Sequence, residues 1–200
     1  CNGKVHFNSD GSPLLFSGVM RRIDDTAKYD SLTKLLTIKE LNSASFQGRQ
    51  GAMLLIGLDR FRTILNTYGY GFSNRVLADI SLQMQRMLRE RDTLYRFSGD
   101  EFLFDLPDST AEDAKRLFFR IKNMLEDIHD FGDHVIRLSA SGGITEYPGH
   151  SDNVETLISH LEHCVQYAKE KCRSQAVVYE PFISEIHTNA MRMRTALSES

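Results

Sequence analysis

The sequence predicts an α/β fold: a central sheet with helices packed on its faces. Three observations lead there. Ala52-Met53-Leu54-Leu55-Ile56 is an unbroken apolar run of strand length, as a strand buried on both faces requires. Thr93-Leu94-Tyr95-Arg96-Phe97 and Glu101-Phe102-Leu103-Phe104 are strand-like runs that flank Ser98-Gly99-Asp100, a tight turn of small residues, and so read as a hairpin. Between and around these strands lie segments whose apolar residues recur at helical spacing, so strands are separated by helices.

Each element follows from its local pattern. Residues 4–23 read as two strands joined by Asn8-Ser9-Asp10-Gly11, and Asp24-Asp25 then open a short helix towards Tyr29. A helix is predicted from Leu36 to Gln47, ended by Gly48. Residues 61–87 read as helix with a break at Gly69-Tyr70-Gly71. Its second half carries Val76, Leu77, Ile80, Leu82, Met84, Met87 and Leu88 as an apolar stripe. Ser109-Thr110-Ala111-Glu112 fits a capping box, and the helix it starts directs Leu117, Phe118, Ile121 and Leu125 inward. His134 to Ile144 alternates as one strand, Asn153 to Lys171 is helical, Ala176 to Tyr179 is a strand, and Phe182 to Leu197 a last helix.

Composition narrows the function. In 200 residues, 41% are hydrophobic and 26% charged, enough for an ordinary globular core. A net charge of -3 argues against binding a nucleic-acid polymer, which needs a basic face. No apolar run approaches the roughly 18 residues that span a bilayer. Cys1, Cys164 and Cys172 show no CxxC spacing and read as reduced thiols of a cytoplasmic protein. Cys164 and Cys172 share a predicted helix about 12 Å apart along its axis, too far for a disulfide. The histidines form no zinc-type spacing with cysteine. The chain opens on Cys-Asn-Gly and stops within a helical pattern, so it reads as a piece of a longer protein.

The chemistry concentrates in Arg96-Phe97-Ser98-Gly99-Asp100-Glu101-Phe102. Two adjacent carboxylates sit on a turn with almost no side chain beside them. Small residues let a phosphate or base approach the backbone, and a carboxylate there can hold Mg²⁺, an oxygen-seeking ion that often bridges to substrate phosphates. Taken alone, the same residues also describe a solvated polar turn.

This segment resembles the signature of the GGDEF family of diguanylate cyclases, with Ser98 in place of the first glycine. Tyr29-Asp30-Ser31-Leu32-Thr33, Leu58-Asp59-Arg60-Phe61-Arg62 with Thr67-Tyr68-Gly69, Gly142-Gly143-Ile144 and Ala168-Lys169 with Arg173 resemble further family motifs in the right order, over roughly residues 29–181. The resemblance implies a central, mostly antiparallel sheet flanked by helices, of nucleotidyl-cyclase type. It implies an activity in which two domains each bring one GTP and together form cyclic-di-GMP. Asp100 would ligate Mg²⁺ and take part in hydroxyl activation, with Glu101 in support. Leu58 would offer a backbone carbonyl to the metal, and Asp59 is a weaker metal candidate. Ser98, Gly99 and Asn74 would line the substrate, and Lys169 and Arg173 would meet its phosphates.

The resemblance also has gaps. Gly57 stands where the family's first metal-loop aspartate is expected, so Mg²⁺ binding is expected to be weak or absent. Leu65 falls where an asparagine reads guanine, and leucine can neither donate nor accept a hydrogen bond. Asn74 replaces an aspartate, Cys172 a glycine, and Lys34 and Thr37-Ile38 replace a glycine and an Asn-Arg pair. Arg89-Glu90-Arg91-Asp92, separated from Ser98 by five residues, matches the family's Arg-x-x-Asp product-inhibition site, with Arg89 and Asp92 as its cyclic-di-GMP contacts.

The flanks suggest a domain order. Residues 1–23 resemble the last strands of a PAS sensor domain, 24–36 read as a helical linker, 37–181 as the GGDEF domain, and 182–200 as a linker helix towards an EAL phosphodiesterase domain. The expected function is a catalytically impaired regulatory module that binds GTP or cyclic-di-GMP and dimerises in the full-length protein, with PAS and EAL domains in cis. The parent could be membrane-anchored through parts that precede this chain. Two alternatives stand beside this: a weakly active diguanylate cyclase, and a ligand-free scaffold for dimerisation and signal relay.

Overall fold

The computed structural model describes residues 2–7, 13–19, 28–42, 48–132 and 134–188. Two strands, β1 (Asn2–Phe7) and β2 (Pro13–Val19), pair antiparallel as a ribbon. Then come β3 (Leu36–Thr37), α1 (Ile38–Asn42), β4 (Gly51–Leu58), α2 (Phe61–Gln85), β5 (Thr93–Ser98), β6 (Glu101–Pro107) and α3 (Ala111–Glu126). They are followed by β7 (His129–Asp130), β8 (Val135–Ile136), β9 (Ala140–Tyr147), α4 (Val154–Lys171) and β10 (Ala176–Val178). Residues 181–188 are helical.

Six strands form one sheet in the order β10-β9-β4-β6-β5-β3. The three inner pairings are antiparallel and the two outer ones, β10 with β9 and β3 with β5, are parallel. The sheet is therefore mixed and mostly antiparallel. β4 sits between β6 and β9, and every residue from Gly51 to Leu58 is buried, so its continuous apolar run has the physical cause expected of it.

Alternation along β4 divides the core into two layers. Ala52, Leu54, Ile56 and Leu58 pack with Val76, Leu77, Ile80 and Met84 of α2 and with Leu117, Phe118, Ile121 and Leu125 of α3. Met53 and Leu55 face the other way, into Leu157, Leu161 and Val165 of α4 and Leu41 of α1. Cys164 is buried in α4 and burial pushes its thiol up to about 12, as expected of an inert core cysteine. Among the described residues no helix is long and apolar enough to cross a membrane.

Several local expectations change. Leu36–Thr37 is an edge strand, not the first turn of a helix, because Leu36 and Thr37 pair with Tyr95 and Arg96 of β5; helix begins only at Ile38. Residues 43–47 lie outside the described residues, as do 24–27 of the expected short helix and 189–197 of the expected last one. The single strand expected from His134 to Ile144 is two. Its backbone leaves the ladder between them, where the Leu138 amide donates to the Leu125 carbonyl and the Ser139 carbonyl accepts from the Asp59 amide. The capping box is real but shifted by one residue: Thr110 and Asp113 form it, and the Ser109 hydroxyl donates to the Pro107 carbonyl. Leu82, placed in the inward stripe, is 48% exposed. The break in α2 falls at Gly69, whose φ of 76° only glycine adopts readily.

Candidate functional site

The end of β4 and the β5–β6 turn meet at one edge of the sheet. Gly57 lies opposite Glu101 on one side and Ser141 on the other, and the Leu58 amide donates to the Asp100 carbonyl at 3.2 Å. The turn is tight because Gly99 takes φ of +38°, and nothing lies within 4 Å of where its Cβ would be. The backbone at Gly99 is therefore open to an approaching ligand.

Three carboxylates gather here, and the chain's own groups hold two of them. The Ser98 hydroxyl donates to Glu101 Oε2 at 2.9 Å, and the Lys169 ammonium, reaching over from α4, lies 3.5 Å from Glu101 Oε1. Asp59 accepts from the Ser139 hydroxyl at 3.1 Å and from the Ser141 hydroxyl at 2.9 Å. Asp100 is the third. Burial pushes its carboxyl above the ordinary aspartate value, and Lys169 nearby partly offsets that.

On the other side of the turn, Gly99 and Asp100 border a cavity of about 420 Å³. Phe61, Leu65 and Leu77 give it apolar walls, and Asn74, Arg62 and Arg96 its polar groups. Arg96 belongs to the signature segment, and the resemblance assigns it no role. Its guanidinium lies 4.7 Å from the centre of the Phe102 ring, and its Nη1 is buried with no hydrogen-bond partner among the described residues. Burial depresses its pKa, an effect that Asp30 and Asp100 oppose. Arg96 is among the residues that line this hollow, and a guanidinium there suits an anionic or carbonyl acceptor. Its place in the signature, two residues before Ser98, was the available signal.

Arg173 is arranged differently from Lys169. Its Nε donates to the Lys169 carbonyl at 2.8 Å, which satisfies the end of α4.

Arg89 and Asp92 line a second cavity, of about 620 Å³, with Lys28, Tyr29, Lys34 and Tyr95. Within it Asp92 Oδ2 accepts from the Arg89 amide at 2.9 Å, so the carboxylate also shapes the turn between α2 and β5. Lys28 and Lys34 were not foreseen here. Lys34 takes φ of 61°, a conformation that suits glycine, which is what the resemblance placed at that position.

As ligands for Mg²⁺ these residues fit poorly. The ion asks for near-octahedral oxygen donors. Gly57 offers no side chain, Glu101 and Asp59 are held by internal partners, and among the described residues no group of three or more His, Cys, Asp or Glu side chains is placed to hold a metal ion.

Comparison with known proteins gives a consistent result. Residues 27–175 match the family described as diguanylate cyclase, GGDEF domain. The chain is 29% identical over 189 residues to the probable diguanylate cyclase DgcE of Escherichia coli K12, covering 88% of this chain and 17% of that protein. It is 27% identical over 187 residues to MucR of Pseudomonas aeruginosa, a bifunctional diguanylate cyclase/cyclic di-GMP phosphodiesterase, covering 90% of this chain and 27% of that one. It thus spans well under a third of these relatives. The isolated GGDEF domain of TpbB (YfiN) from Pseudomonas aeruginosa superposes with a TM-score of 0.75 at 28% identity, over 80% of this chain and 99% of that one. Cyclases of this family generally use Mg²⁺. By the extent of these matches and by its sheet, the chain belongs to the GGDEF family of diguanylate cyclase domains, the domains of cyclic-di-GMP signalling proteins.

Proposed function

We propose that this domain is a guanine-nucleotide-binding regulatory module whose cyclase activity is weak or absent. One observation carries the reading: the cavity beside Gly99 and Asp100 keeps the room for a nucleotide, but Leu65 stands in its wall where a base would need a hydrogen-bonding partner. Each missing polar contact to a base is worth roughly 1–3 kcal/mol, so two or three losses amount to about a hundredfold or more in binding. Asp100 lines the cavity and could still assist a hydroxyl, which supports the weakly active cyclase as a second reading.

The second cavity supports a separate cyclic-di-GMP site. Arg89 presents a planar fork suited to phosphate or to the Hoogsteen edge of guanine, and Asp92 an acceptor for its amine. Lys34 adds positive charge to the same cavity, while Lys28 there lies 3.8 Å from Glu40.

In the full-length protein we place this domain between a PAS-type sensor, of which β1 and β2 would be the last ribbon, and an EAL-type phosphodiesterase. The second assignment draws support from relatives that pair cyclase and phosphodiesterase activities in one chain. The domain would then act in the cytoplasm, within a homodimer, by relaying nucleotide occupancy to its neighbours.

The test is a GTP turnover assay with Mg²⁺ or Mn²⁺ at high protein concentration, paired with titrations of GTP and cyclic-di-GMP. Binding without appreciable product is expected, with cyclic-di-GMP affinity lost in Arg89→Ala. Efficient cyclic-di-GMP synthesis that disappears in Asp100→Ala would establish the enzyme reading instead. An unchanged affinity in Arg89→Ala would remove the second site.

A further inference from the structure

The space beside Glu101 is filled in an unusual way. Residues 57 and 101 are directly opposed on neighbouring antiparallel strands, so a side chain at 57 would stand next to that of Glu101. Residue 57 is a glycine, and the place its Cβ would take lies 2.5 Å from Lys169 Nζ, 2.9 Å from Lys169 Cε and 3.3 Å from Glu101 Oε1. The tip of Lys169 thus occupies the volume that any side chain at 57 would need. Glu101 has its other oxygen on the Ser98 hydroxyl, so both of its oxygens face groups of the chain itself. Asp59, the remaining acid on this loop, is closed by two serines.

We propose that Lys169 is the built-in counter-ion of the acidic turn: its ammonium fills the gap at Gly57, and the turn receives its ligand without a divalent cation. This rests on the reading of the turn as a nucleotide site. An ammonium brings one positive charge and N–H donors where a metal ion would bring two charges and demand oxygen ligands. It satisfies Glu101, and of the three carboxylates named at this edge Asp100 is then the one to which no side chain of the chain is bonded among the described residues. A divalent ion could enter only by expelling Lys169 against like-charge repulsion. Lys169 is then a positioning residue, which sets the charge of the turn before any ligand arrives.

The arrangement is reversible by design of the site. The atoms nearest the missing Cβ belong to the mobile end of a lysine, and Gly57 has no left-handed φ, so Gly57→Asp can be accommodated by moving Lys169 aside. The experiment follows Mn²⁺ binding by electron paramagnetic resonance, with no nucleotide present, in the wild type, Gly57→Asp and Lys169→Met. The wild type is expected to leave the free-Mn²⁺ signal essentially unchanged. Lys169→Met is expected to gain affinity, and Gly57→Asp to gain roughly tenfold or more over the wild type, since affinity follows ligand charge. Circular dichroism melting reports whether each variant folds. Should Gly57→Asp fail to fold, Lys169→Met decides alone, because its side chain lies at the rim, 31% exposed. Mn²⁺ binding to the wild type as tight as to a folded Lys169→Met would overturn the proposal.

A second titration, of a fluorescent guanine nucleotide in EDTA and in Mg²⁺, separates the metal-free turn from nucleotide binding itself. Equal affinity in both supports the proposal, and an affinity that requires Mg²⁺ defeats it while leaving nucleotide binding intact. No binding under either condition removes the nucleotide reading, and the Mn²⁺ series still decides the role of Lys169.

Discussion

The two ends of β4 both carry a glycine, and the two glycines serve opposite purposes. At Gly51 an added Cβ would meet the Tyr147 hydroxyl and the Leu106 carbonyl oxygen, the latter at 2.5 Å. Neither can yield: one is backbone, and the other donates at 2.7 Å to Asp105 Oδ1, an acid only 4% exposed and held also by Arg49 at 3.2 Å. At Gly57 the obstacle is the flexible tip of Lys169. The first end is a locked anchor whose polar groups are all committed to holding the sheet. The second is a site whose polar groups hold one another until something displaces them. The same residue type on one strand therefore marks a structural constraint at one end and an adjustable charge at the other.

That contrast can be broken by mutation. Gly51→Ala should have the largest effect, a loss of about 3 kcal/mol from overpacking against groups that cannot move, read as a lowered urea midpoint. Tyr147→Phe should cost about 2 kcal/mol, because it leaves the buried Asp105 short of a donor. Its burial and its bond to Asp105 also hold the Tyr147 phenol protonated, so the loss should not vary across neutral pH. A milder reference is the start of α3, which adjoins the Gly51 end through the bond from the Asp108 amide to the Gln50 carbonyl; there Thr110→Ala removes the helix cap at a cost of about 1 kcal/mol. There the bond from the Thr110 amide, with Arg116 beside it, holds the Asp113 carboxyl well below its ordinary value. A depressed carboxylate stabilises the fold above its unfolded pKa and loses that contribution as pH falls through the folded value. The deficit of Asp113→Asn against the wild type should therefore be present at neutral pH and shrink once pH drops below about 4. Gly57→Ala should cost least, under about 1 kcal/mol, with Lys169 moved off Glu101. Equal losses at Gly51 and Gly57 would mean that the Lys169 tip is as rigid as the anchor, and the comparison would fail.

Much of the fold was legible because burial imposes local pattern. The all-apolar β4, the β5–β6 hairpin and the inward Leu117, Phe118, Ile121 and Leu125 of α3 were each readable. Leu36–Thr37 was not, because a two-residue edge strand has no period of its own and exists only by pairing with β5. The division between β8 and β9 was hidden for a similar reason: alternation continues in sequence while the backbone turns to serve Asp59 and Leu125.

The candidate site shows the same split. Asp100, Glu101, Lys169 and Gly57 could be named from the sequence as residues of one site, and the absence of a carboxylate at 57 followed from its identity alone. That Lys169 stands in the vacated volume, that Ser98 holds Glu101, and that Ser139 and Ser141 close Asp59 were decided only by tertiary packing. Residue types determine which charges are present, and they act through the backbone at fixed positions. Which charge neutralises which depends on side chains from α4, β6 and β9 meeting within a few ångströms, and that proximity exists only once the sheet has brought distant segments together.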